Sequence, residues 1–204
     1  MALTIDRVSL GPCEAFAFDQ GARAWAIVLP GAGYSTQAPL LWYARRAALE
    51  AGRNVLVLND AFAGGREDAA RWVEARAEAA LSHVRAQDQH PLLITKSLTS
   101  LAAPLAARER LAAVWLTPLI SAEGSAVAKH VLAGLQAATE PRLLVGGSAD
   151  ATWDGRFAAS LLAAQILELP GADHSLEVTN DAMTSLAHLK AVTVAVGKFL
   201  EGLK

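Results

Sequence analysis

A single cysteine, Cys13, stands among 204 residues. No internal disulfide can form and no cysteine cluster can hold zinc, so Cys13 reads as a small packed side chain. Charge is also sparse: 19% of residues are charged, 18 Lys and Arg against 20 Asp and Glu, for a formal net charge of −2. No basic run or stripe occurs, which removes the electrostatic basis for binding nucleic acid. Apolar runs are short, none reaching the ~20 residues that span a bilayer. Met1 to Leu10 mixes polar and charged residues where a signal peptide would carry a basic segment and then an apolar core. The expectation is a cytoplasmic protein with neither a nucleic-acid nor a membrane partner. Two phosphate-binding patterns fail in detail. Lys96-Ser97 could end a phosphate loop, but His90 and Thr95 occupy its glycine positions. Gly31-Ala32-Gly33 is followed by Thr36 where a dinucleotide fingerprint needs a third glycine.

What the chain has in quantity is apolar residues, 53% of the total, enough for one sizeable core. The length suits a single α/β domain over 1–204. Leu3 to Leu10 and Cys13 to Phe18 alternate imperfectly around Gly11-Pro12, the pattern of an antiparallel hairpin at a sheet edge. From Trp25 onward, short apolar strands alternate with helical spacings. Strands are predicted at Trp25–Leu29, Asn54–Leu58, Leu92–Ile94, Leu111–Leu116, Arg142–Val145 and Ala164–Leu169. Helices are predicted at Ala38–Ala51, Arg66–Ala86, directly after Ser97, and at Ser125–Thr139, Trp153–Leu162 and Thr179–Leu203. Alternation of this kind gives a mostly parallel sheet with helices on both faces. No repeat, low-complexity segment or linker interrupts it.

The stretch from Pro91 to Ala102 organises the rest. Leu92, Leu93 and Ile94 form a buried strand; Leu98, Leu101, Ala102, Leu105 and Ala106 follow at helical spacing. Ser97 sits at the junction. A sharp turn there lifts the hydroxyl clear of the sheet and sets it at a helix N-terminus rich in free N–H groups; a plain helix cap is the simpler role for such a serine. In parallel sheets, ligands bind beyond the carboxyl ends of the strands. Four such ends carry polar or glycine-rich turns: Gly31–Tyr34, Ser97–Leu98, Asp150 and His174. Their chain order, Ser then Asp then His, is one of the three known orders of a Ser-His-Asp triad. Asp154 and Asp173 compete with Asp150. Asp154, however, opens a predicted helix, and Asp173 adjoins His174 on an extended loop, where neighbouring side chains point apart. His83, His90, His130 and His188 lack a strand-end glycine context and read as surface or helix residues.

On these residues the chain resembles the α/β-hydrolase superfamily, and within it the small lidless bacterial members with a K-S-L-x-[TS] elbow. The matching residues are Pro-Gly-Ala-Gly at 30–33, Lys-Ser-Leu at 96–98, Gly-Ser-Ala-Asp at 147–150 and Gly-Ala-Asp-His at 171–174. The resemblance implies an α/β-hydrolase fold without a lid. Ser97 becomes the nucleophile, His174 the general base and Asp150 its acidic partner. It implies an oxyanion hole from the N–H groups of Leu98 and Ala32, with Gly33 and Tyr34 as alternatives for the second donor, and a small-molecule acyl substrate (ester, thioester or related), with no cofactor and no metal. One departure stands out. Thr95 and Thr99 replace the glycines that flank the serine of G-x-S-x-G, so either the turn opens slightly or its neighbours are small enough to admit two methyls. Lys96 is expected to be packed or solvated and not to serve as a base, because adjacent side chains on a sharp elbow diverge. Of the aromatics near these strand ends, Tyr34, Trp42, Trp115 and Trp153, some are candidates for an acyl pocket. A non-catalytic binding protein on the same fold is the competing reading, and a C–C hydrolase or perhydrolase using the same triad is a third.

Overall fold

The computed structural model describes residues 2–203 apart from 66, 89 and 122–124. The chain runs β1 (Thr4–Ser9), β2 (Glu14–Asp19), β3 (Trp25–Val28), α1 (Pro39–Glu50), β4 (Asn54–Leu58), α2 (Ala69–Val84), β5 (Leu92–Lys96), a 3-10 helix (Ser97–Ala102), α3 (Ala103–Arg108), β6 (Ala113–Leu116), α4 (Ala126–Ala137), β7 (Arg142–Gly147), α5 (Gly155–Ser160), β8 (Ala164–Leu169) and α6 (Ala182–Glu201). The strands form one eight-stranded sheet in the order β1-β2-β4-β3-β5-β6-β7-β8. The β1–β2 and β2–β4 pairings are antiparallel and all others parallel, as expected for an edge hairpin attached to alternating β and α units.

Residues of the central strands alternate between two cores because successive side chains leave opposite faces of a strand. Ala26, Val28, Leu92, Ile94, Val114, Leu116, Leu143 and Val145 pack toward α1 and α6. Trp25, Ile27, Leu93, Ala113, Trp115 and Leu144 pack toward α2, α3 and α4. Strands β3 to β7 are buried throughout, whereas β8, paired only with β7, leaves most of its residues partly or fully exposed. Alanine lets the helices sit close: Ala77 and Ala80 of α2 and Ala44 and Ala48 of α1 are buried against the sheet.

Element bounds shift by up to three residues from expectation, and three differences stand out. The helix after Ser97 is not continuous: a 3-10 segment runs to Ala102 and the α-helix starts at Ala103, with Pro104 in its first turn. Proline has no N–H to give to the carbonyl of Ser100, so an α-helix cannot run unbroken from Ser97. Helix α2 begins at Ala69, and Arg66, the expected start, lies outside the described residues. Strand β7 extends through Gly146 and Gly147, which pair with Glu168 and Leu169. A Cβ on Gly147 would run into the Ala172 carbonyl, so glycine lets the loop that carries His174 close directly onto the end of β7.

Candidate active site

Ser97 follows the last residue of β5 and has φ +52°. A non-glycine residue in this left-handed region is strained, and such strain concentrates at functional sites. The turn is held by Thr99, whose hydroxyl accepts the Lys96 N–H at 3.1 Å and lies 3.2 Å from the Lys96 carbonyl and 3.4 Å from that of Leu29. Thr99 thus occupies a glycine position of the usual elbow and uses its side chain to close the turn. Thr95 is wholly buried, with no partner for its hydroxyl among the described residues, so its methyl and hydroxyl are simply accommodated in the interior.

The loop after β8 brings His174 back over this serine. His174 Nε2 lies 2.7 Å from Ser97 Oγ, and Nδ1 lies 2.7 Å from Asp150 Oδ2. Asp150 follows β7 and its carboxylate is almost fully buried. Burial alone would raise its pKa, but hydrogen bonds from His174 and from the Thr152 amide and hydroxyl outweigh that and leave it below the ordinary carboxylate value. An ionised Asp150 accepts the Nδ1 proton, so Nε2 turns its lone pair toward the Ser97 hydroxyl. Thr152 was not among the residues read from the sequence. Its N–H and Oγ1 each donate to Asp150 Oδ1 at 2.8 Å, and Oγ1 also lies 3.0 Å from His174 Nδ1. The Asp-x-Thr spacing of an Asx turn was the available signal.

The two competing aspartates are occupied elsewhere. Asp154 caps α5, accepting the N–H groups of Arg156 and Phe157. Asp173 accepts those of Ser175 and Glu177 and folds the loop beyond the histidine. Among the other histidines, His188 is buried on α6, while His90 is exposed and His83 and His130 are half-buried. Cys13 is buried in the core. Burial and the acidic neighbours Asp60 and Glu14 raise its thiol pKa against the pull of Arg76. Of the aromatic candidates, Trp115 is core, and Trp153 packs over β7 with its indole N–H on Glu168 at 2.7 Å.

No family model matches this sequence, and no curated protein matches it either. Solved structures do match along essentially the whole chain. Est1E from Butyrivibrio proteoclasticus superposes with a TM-score of 0.73 at 16% identity, over 98% of this chain and 99% of its own. XC6422 from Xanthomonas campestris, described as an α/β serine hydrolase without lid, gives 0.70 at 17% identity over 100% and 95%. The Pyrococcus furiosus esterase Pf2001 gives 0.72 at 15% identity over 98% and 92%. The chain has the α/β-hydrolase fold.

In this fold the elbow faces the loop after β3. The Leu98 N–H lies in the first turn of the 3-10 helix, where N–H groups have no intrahelical partner. The facing loop is closed by the Gly31 N–H on the Tyr34 carbonyl at 2.9 Å, while the Ala32 N–H donates to no protein group among the described residues. A Cβ on Gly31 would sit 3.3 Å from Lys96 Cγ and 3.4 Å from its carbonyl, so glycine lets this loop pack on the elbow itself. Two hollows flank Ser97 and His174 in this α/β-hydrolase fold. One, of about 470 Å³, runs from Leu98 to Thr152 and is walled by Phe62, Leu119, Val127 and Ala128. The other, of about 600 Å³, lies beyond the His174 loop between Tyr34, Glu177, Asp181 and Leu189.

Proposed function

We propose that this protein is a serine hydrolase that cleaves a carboxylic ester or thioester through an acyl-enzyme. The observation that carries the reading is the continuous hydrogen-bonded chain from a strained Ser97 through His174 to a buried, ionised Asp150. Ser97 Oγ attacks the acyl carbon while His174 Nε2 takes its proton, and Asp150 holds the imidazole tautomer and stabilises the imidazolium that forms. The oxyanion is received by the N–H groups of Leu98 and Ala32. His174 then returns the proton to the departing alkoxide or thiolate, and a water activated by the same nitrogen releases the acid. The apolar hollow beside Leu98 takes the acyl group. Pf2001 is an esterase and XC6422 a serine hydrolase, which is consistent with this chemistry.

The test is labelling with a fluorophosphonate probe, followed by mapping of the adduct. Wild type reacts at Ser97 and Ser97→Ala does not. Equal labelling of the two removes Ser97 from the mechanism, and no labelling of a folded wild type overturns the reading in favour of a binding protein on the same fold.

A further inference from the structure

Lys96 has no part in that mechanism, yet its side chain is buried and firmly held beside the site. It precedes the nucleophile, and where Ser97 turns toward the imidazole, Lys96 turns into the protein and is 1% exposed. Its Nζ donates to Thr117 Oγ1 at 2.6 Å and to the backbone carbonyl of His174 at 2.7 Å, and lies 5.0 Å from the centre of the Tyr34 ring. Thr117 is itself unusual: a buried β-branched residue with φ +44°, just beyond β6, directs its hydroxyl to this ammonium. Four chain segments therefore meet at one nitrogen: the elbow, the end of β6, the loop of Tyr34 and the loop of His174.

We infer that Lys96 is a positioning residue, its ammonium tying the backbone of His174 to the strand that carries Ser97 and so setting the distance between imidazole and hydroxyl. The inference rests on the reading of Ser97 and His174 as the reacting pair. The imidazole is fixed at its ring by Asp150, but the residue sits on a long loop, between β8 and α6. That loop is tied down on either side of the residue, by the Ala149 N–H on the Ala172 carbonyl and by Asp173 on the Ser175 and Glu177 N–H groups, and Lys96 adds the anchor on the peptide group of His174 itself. Fold stability does not call for a lysine here. Among the described residues no carboxylate lies within hydrogen-bonding distance of the ammonium, and a buried cation without a bonded anion is less favourable than a methionine of similar length. A ring displaced by about 1 Å is enough to slow proton transfer on the order of 10²-fold.

The experiment compares steady-state hydrolysis of p-nitrophenyl acetate by wild type, Lys96→Met, Thr117→Ala and Thr117→Ser. Lys96→Met is expected to lower kcat by about 10- to 100-fold, the scale of such a displacement, with KM nearly unchanged and no loss of melting temperature at pH 7. Thr117→Ala, which removes one of the two anchors of the ammonium, lowers kcat less and again spares KM, while Thr117→Ser retains wild-type kcat. A folded Lys96→Met with wild-type kcat overturns the inference. Should that variant not fold, equal kcat for Thr117→Ala and Thr117→Ser overturns it instead. A wild type that neither labels nor hydrolyses overturns the serine-hydrolase reading, which is a different outcome.

Discussion

Replacing Lys96 by methionine also makes a quantitative statement about stability. Burial is the main influence on this ammonium and lowers its pKa from 10.5 to about 8, against the opposing pull of Asp150 and Asp173. At 1.36 kcal/mol per pH unit, that difference is a penalty of roughly 3 kcal/mol for keeping the charge in the folded protein. The sign follows from proton counting. Between pH 8 and the unfolded value the denatured chain binds more protons than the native one, so native stability rises with pH across that window. The penalty is complete below pH 8 and gone above the unfolded value, and about 2 kcal/mol of it is relieved between pH 8 and 10. Lys96→Met has no such dependence, and the other titrating groups are common to both proteins. Urea unfolding followed by tryptophan fluorescence at pH 7, 8, 9 and 10 measures both. Wild-type stability minus variant stability should climb by about 2 kcal/mol from pH 8 to 10. A difference that stays flat across the series would mean that the ammonium is not desolvated, and the geometry beneath the elbow would need redrawing.

Asp150→Asn should fold and lose about 10³- to 10⁴-fold in kcat, as when a triad carboxylate is neutralised, while Asp154→Asn and Asp173→Asn lose far less; a large loss at Asp154 alone would reassign the acid. Thr95→Val removes a buried hydroxyl that has no partner among the described residues and should leave stability unchanged or raise it by up to about 1 kcal/mol in thermal unfolding. Thr99→Val strips the Lys96 N–H of its acceptor and should lower stability by about 1–3 kcal/mol and activity with it; an unaffected protein would show that the elbow closes without this hydroxyl. Enlarging Ala128 to Phe inside the hollow beside Leu98 should raise KM for p-nitrophenyl hexanoate more than for the acetate, and equal effects on both esters would place the acyl group elsewhere.

The parallel architecture was legible because five central strands are short, apolar and bounded by turn residues, a pattern that survives without any knowledge of contacts. Ser97, Asp150 and His174 were legible as strand-end residues, since the carboxyl ends of the parallel strands β3 to β8 all lie at one edge of the sheet. The elbow was less so. Pro104 announced that the helix could not be continuous with Ser97, but the apolar spacing from Leu98 to Ala106 runs straight across it. Thr99 looked like a steric intrusion because a residue letter does not show that its hydroxyl will find the Lys96 N–H. The contact between Lys96 and His174 joins residues 78 apart in sequence, and such a hydrogen bond leaves no periodic trace in either segment. His188 was similarly opaque: a helix histidine reads alike whether its face meets solvent or the sheet, and here it is buried, with Nδ1 lacking a partner among the described residues.

The exposed strand β8 has a bearing on how the molecule fails. It is held by one neighbouring strand, and the loop carrying His174 leaves directly from its end. Segments with few buried contacts open at lower free energy than the global transition. As denaturant is raised, β8 and its loop should therefore detach while Trp25 and Trp115, in the buried strands β3 and β6, still emit as native. Amide exchange should run faster along 164–174 than along 92–96, and hydrolysis should vanish at a urea concentration below the fluorescence midpoint. An activity-based melting curve for this protein would then report the departure of one edge, not the collapse of the whole.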